Sequence, residues 1–146
     1  MRVAIGSDHA GYELKAKAVA WLADHGIETQ DLGTGGPQSV DYPDFARAVC
    51  ERVTNGQADL GVLVCKTGIG MCIAANKMRG IRAAHPANEE EAFLARSHNN
   101  ANVLCLGGGT TVPDAAIAML NTFISTPFSD EDRHVRRLAK IEALEQ

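Results

Sequence analysis

One thiol stands where an anion could be held. Cys65-Lys66-Thr67-Gly68-Ile69-Gly70-Met71 follows the apolar run 60–64 and precedes a helix-like segment at 72–78. The first turn of a helix carries N–H groups without intrahelical partners and partial positive charge. Gly68 and Gly70 allow the backbone to fold tightly and approach a ligand. A thiol at the mouth of such a loop sits in a field that favours thiolate. The stretch can therefore place a base beside a negatively charged intermediate; the competing reading is an ordinary tight turn. Asp8 and His9 end the first apolar run, and His98-Asn99 forms a polar break before the last one. Arg133, Arg136, Arg137 and Lys140 recur at i, i+3, i+4 and i+7, which puts them on one helical face. That cationic stripe can grip a phosphate through bidentate arginine contacts, or can be a solvated face paired with Asp130, Asp132 or Glu142.

Bulk properties narrow the classes. A chain of 146 residues, 45% hydrophobic and 22% charged, reads as one domain over 1–146 with a real core. Its net charge of −4 argues against a general nucleic-acid binder. No apolar run approaches the roughly 20 residues of a membrane helix, and no signal peptide is visible, so a cytoplasmic protein without membrane or nucleic-acid partners is expected. Cys50, Cys65, Cys72 and Cys105 form no C-x-x-C pair, which suits a reducing compartment; apart from Cys65 they read as packing residues. The five histidines show no zinc-site spacing, and His25, His85 and His134 receive no role.

The elements that must position these residues alternate. Strands are expected at 2–7, 27–32, 59–64, 81–84 and 101–106. Helices are expected at 12–25, 42–53, 72–78, from 87 or 88 to 97, at 113–125 and at 129–145. The economical arrangement is an α/β fold, a three-layer α/β/α sandwich around a five-stranded parallel sheet. Ligands bind outside the carboxyl ends of such strands. This rule groups Asp8, His9, residues 65–70 and the turn Gly107-Gly108-Gly109. It leaves His98 and Asn99 outside, unless a neighbouring subunit brings them in.

Taken in order, several short motifs now form a set. They are Gly6-Ser7-Asp8-His9-Ala10-Gly11, Asp41-Tyr42-Pro43, Cys65-x-Thr67-Gly68-Ile69-Gly70, Ala74-Ala75-Asn76-Lys77, Gly80-Ile81-Arg82-Ala83, His98-Asn99-x-x-Asn102 and Arg133-His134-x-x-Arg137. Together they resemble the type B ribose-5-phosphate isomerase family, which includes the galactose-6-phosphate isomerase subunits. The resemblance implies a Rossmann-like fold and a homodimer or dimer of dimers with sites at the subunit interface. It also implies cofactor-free, metal-independent aldose–ketose isomerisation of a sugar phosphate through a cis-enediolate. On that resemblance Cys65 is the base, and the N–H groups of 66–70, including those of Lys66, Gly68, Ile69 and Gly70, form the anion hole with Asn99 nearby. His98 opens the sugar ring, assisted by Asp8 and Thr67. His9, Arg133 and Arg137 hold phosphate, and Tyr42 lines the sugar pocket or packs.

Two positions depart from the family pattern: Lys66 stands where a small residue is expected, and Gly109 where many members place a phosphate-binding Arg. Ribose 5-phosphate leads as substrate, ahead of an allose- or galactose-type hexose 6-phosphate and an unphosphorylated sugar. From other classes, a cysteine phosphatase is disfavoured because Met71, not Arg, stands six residues after Cys65. A non-catalytic sugar-phosphate binding module remains the rival, although simple binding needs no base.

Overall fold

In the computed structural model, residues 1–145 are described; Gln146, at the end of the expected domain, lies outside them. The elements are β1 (Arg2–Ser7), α1 (Tyr12–Asp24), β2 (Glu28–Asp31), α2 (Tyr42–Thr54), β3 (Leu60–Cys65), α3 (Ile69–Ala75), β4 (Ala83–Ala84), α4 (Glu89–Ser97), β5 (Val103–Gly107), α5 (Pro113–Ser125) and α6 (Asp132–Glu142). The five strands form one parallel sheet in the order β2-β1-β3-β5-β4. The expected Rossmann-like α/β/α sandwich is what forms.

Both sheet faces are covered because alternate residues of the central strands are apolar in both directions. Val3, Ile5, Val62, Val64, Leu104 and Leu106 pack with Leu14, Leu22, Ala92, Leu120 and Phe123 of α1, α4 and α5. Ala4, Leu63, Cys65, Val103 and Cys105 face the other way, onto Ala46, Val49, Cys50, Met71 and Ala75 of α2 and α3. Truncating a fully buried residue such as Leu63 to Ala removes about 2–5 kcal/mol. Burial raises the Cys50 thiol to about 12, as befits a packing residue.

Several elements depart from the sequence reading, β5 among them, which starts two residues later than expected at Val103. The expected helix at 72–78 begins at Ile69, because Gly68 (φ +81°) turns the chain at once. The strand expected at 27–32 is shorter, with half-buried Ile27 and Leu32 outside it. The strand expected at 81–84 shrinks to two residues, since side-chain amides take its main-chain groups. Asn102 Oδ1 accepts from Arg82 N (2.7 Å), Asn76 Oδ1 accepts from Ala83 N (2.8 Å), and Asn76 Nδ2 donates to Ala83 O (3.0 Å). The last helix, expected from 129, starts at Asp132 because Asp130 has φ +56° and Glu131 is extended. The helix before β5 starts where Asn88 caps it, Oδ1 accepting from Glu91 N at 2.9 Å.

Candidate active site

At the carboxyl end of the sheet, the loops after β1 and β3 meet at the point where strand order reverses. Asp8 is buried, and its Oδ1 accepts from Ala10 N (2.9 Å) and Gly11 N (3.0 Å). The carboxylate therefore shapes the turn into α1, whose N-cap residue is Gly11. His9 Nδ1 accepts from Val40 N at 3.2 Å, which leaves the proton on Nε2 as an outward donor.

Cys65 ends β3 with 4% exposure, and Gly68 N donates to its sulfur at 3.1 Å. Thr67 Oγ1 accepts from Ile69 N at 3.2 Å. Two of the loop's N–H groups thus brace the loop itself. Gly70 N lies in the first turn of α3, where helices leave N–H groups open.

Three glycines serve as seats for side chains. A Cβ on Gly70 would lie 2.7 Å from Tyr42 Cζ, so the half-exposed tyrosine packs flat on the loop. A Cβ on Gly68 would lie 2.7 Å from His85 Cδ2. A Cβ on Gly109 would lie 3.0 Å from Lys66 Cγ. The two unusual positions are therefore one packing arrangement: Lys66 lies over the place that a side chain at 109 would need. Gly109 N donates to Lys66 O (2.8 Å) and Gly108 N to Cys65 O (2.8 Å), which ties the β5 turn to the loop.

The other expected residues gather elsewhere. α4 runs back along the sheet, so His98, its C-cap, lies at the amino end of β5. The four residue steps from Val103 to Gly107 span about 13 Å. That rise separates the strand end that carries Cys65 from the end of β5 beside which His98 and Asn99 lie. α6 lies across the same amino end: Ser129 N donates to Ser97 O (3.0 Å), and Gly80 N to Glu145 Oε1 (2.9 Å). Arg133 and Arg137 are exposed on it. Arg133 Nε pairs with Glu131 Oε2 at 3.1 Å, a different carboxylate from the three expected. The chain thus brings Asp8, His9, Tyr42 and 65–70 together at one end, and His98, Asn99, Arg133 and Arg137 at the other.

Two histidines given no role stand in these groups. His134 stacks on His98 with centroids 4.1 Å apart; its place inside the Arg133-His134 motif was the available signal. His85 covers Gly68; its position just after β4, at a carboxyl end, was the signal there.

A cleft of about 600 Å³ opens away from the thiol. It runs beside β4 and α6, lined by Met78, Ile81, Asn99, Leu138, Ile141 and Leu144. None of the three main clefts among the described residues is lined by Asp8, His9 or Cys65. Each group is bordered by uncovered apolar side chains: Ile69 (54% exposed) and Ile73 (59%) at α3, Val135 (43%), Ile141 (47%) and Leu144 (77%) at the chain's end.

Comparison with known proteins yields one consistent group. The family model described as Ribose/Galactose Isomerase matches residues 3–141. Ribose-5-phosphate isomerase B of Escherichia coli K12 is 38% identical over 145 residues, 99% of this chain and 97% of that protein. The crystal structure of a ribose 5-phosphate isomerase from Thermotoga maritima is 49% identical with a TM-score of 0.95, covering 98% of each chain. That of ribose-5-phosphate isomerase B from Mycoplasma genitalium, with bound ribulose-5-phosphate, is 40% identical with a TM-score of 0.92, over 99% of this chain and 95% of that one.

Proposed function

The chain belongs to the ribose/galactose isomerase family, and from that premise we propose that it interconverts ribose 5-phosphate and ribulose 5-phosphate at sites built by two copies. It is an aldose–ketose isomerase of sugar phosphates, acting as one domain over 1–146. The observation that carries the reading is the Cys65 sulfur held by Gly68 N–H at 3.1 Å, beside a loop with open N–H groups. Binding alone needs no thiol in that position.

In this reading the sugar ring opens first. His98 gives a proton to the ring oxygen as the C1–O4 bond breaks, while Asp8 Oδ2, helped by Thr67, takes the proton of the anomeric hydroxyl. Cys65 Sγ then removes the proton from C2. The resulting cis-enediolate lies against the open N–H groups of the 66–70 loop and the side chain of Asn99. The O2 hydroxyl proton passes to the neighbouring O1, and the carbon proton returns from Cys65 to C1 as the carbonyl settles at C2. His9 Nε2, Arg133 and Arg137 hold the phosphate, with Lys66 as a further cation. Tyr42 walls the sugar.

A composite site follows from the separation of the two groups. A two-fold dimer that lays the amino end of one copy over the carboxyl end of the other would complete both sites and cover both apolar borders. A hexose 6-phosphate is the second reading, favoured by Lys66 and Gly109 standing where the family pattern has a small residue and a phosphate-binding Arg. The test is turnover of ribose 5-phosphate by purified protein in a chelator, beside Cys65→Ala. Turnover in the wild type, reduced by about 10²–10⁴-fold in the variant, is expected. A folded wild type that leaves the pentose phosphate untouched would overturn the leading substrate.

A further inference from the structure

His134 has no task in the mechanism above, yet it is the most enclosed polar group of the amino-end half. It is 5% exposed, and its Nε2 is buried without a hydrogen-bond partner among the described residues. Its ring lies on that of His98, with centroids 4.1 Å apart and planes inclined by 22°. Two backbone bonds fix this stack. His134 N donates to Glu131 O (2.8 Å) in the first turn of α6, and Ser129 N donates to Ser97 O (3.0 Å), one residue before His98.

The electrostatics of the stack are one-sided. A charged imidazole needs acceptors for two N–H groups, and a buried N–H without one is costly. Two charged rings at this separation would also repel. The groups facing His134 are His98, Arg133, Arg137 and the carboxylate of Glu131. Burial first, and then the neighbouring His98, hold its pKa below the ordinary histidine range. His134 is thus a neutral platform under a ring that must gain and lose a proton.

We propose that His134 is a positioning residue for His98: its neutral stacked ring fixes the angle at which His98 meets the sugar in the partner's half-site and leaves the proton to His98 alone. The proposal rests on the reading of His98 as the ring-opening group. It assigns to His134 an effect on ring opening that should not extend to the later proton transfer at carbon.

Two reactions of the same protein separate these steps. Turnover of ribose 5-phosphate needs ring opening. Exchange of solvent deuterium into C1 of ribulose 5-phosphate does not, because that ketose is open-chain. His134→Asn, which removes the stack, is expected to lower ribose 5-phosphate turnover about tenfold or more, with deuterium exchange within about twofold of wild type. His134→Phe, which restores a flat ring, should recover most of the turnover. Equal loss in both reactions, unchanged turnover in His134→Asn, or no recovery in His134→Phe would each overturn the proposal.

A second measurement is independent of catalysis. NMR titration of the wild-type ring signals should show His134 charging below the ordinary histidine range, and the His98 ring signals should shift in His134→Asn and return in His134→Phe. A His134 that charges within or above the ordinary range overturns the proposal even in a protein that turns over no pentose phosphate. Absence of wild-type turnover alone would sink the isomerase reading and leave this arm to judge the stack.

Discussion

The two ends of the sheet solve the same task with different materials. The carboxyl end is made of main chain. Its sulfur is held by a backbone N–H, its turns are tied by backbone bonds, and its glycines give way to Tyr42, His85 and Lys66. The amino end is made of side chains: a stacked histidine pair and arginines on an exposed helix. A backbone site is rigid but cannot vary without breaking. A side-chain site can vary freely but must be steadied by packing, and here Val135, Ile141 and Leu144 beside it are left uncovered.

The largest expected effect tests whether the halves meet across subunits. Cys65→Ala and His98→Ala should each be nearly inactive alone. Unfolded together and refolded as a mixture, they should regain about a quarter of wild-type activity, because half the dimers are mixed and each then has one intact site. No recovery in properly refolded mixed dimers would mean that the halves do not combine in this way.

A smaller effect separates the materials. Gly68→Ala forces a side chain into φ +81° and against His85. It should lower the melting temperature by about 3–8 °C, for a strain of about 1–2 kcal/mol, and lower turnover with it. Arg137→Ala, on the exposed helix, should leave stability within about 0.5 kcal/mol and raise KM instead. Equal melting curves for the two variants would erase the contrast between the ends.

The smallest effect touches no activity. Cys72 lies under the carboxyl-end loop, with its sulfur 3.6 Å from Ala83 O. The Cys105 thiol beside it lowers its pKa to about 7, aided by Asn76 and opposed by burial. In the Cys65→Ala background, alkylation by iodoacetamide should rise through about pH 7 and level off above it, confined to Cys72 while buried Cys50 and Cys105 stay unmodified. A rate still climbing at pH 9 would contradict this assignment.

Much of this was legible from residue order. Apolar runs located β1, β3 and β5, because both faces of a parallel sheet demand continuous apolar strands, whereas β2 (Glu28–Asp31) has no apolar residue of its own and was marked only by its flanking Ile27 and Leu32. The Cys65 loop was legible because a thiol, two glycines and a hydroxyl crowd one strand end. The limits of β4 were not, since the side chains of Asn76 and Asn102 compete for its main chain and no propensity reports such a contest. The stack of His134 on His98 was hidden for a related reason: periodicity places each ring on its own helix, while their meeting depends on how α6 folds back across α4. The seat of Lys66 on Gly109 joins residues 43 apart in sequence and could be seen only once β3 and β5 were neighbours.

The amide of Asn76 has a consequence for the protein in crowded solution. Donating to and accepting from Ala83 at once, it imitates one residue of a further strand and closes the sheet at β4. An open edge is where foreign chains add themselves and aggregates begin. The β4 edge ends instead on a single side chain that offers nothing to extend, so a change there would show itself in how much protein stays dissolved before it showed in how fast the protein works.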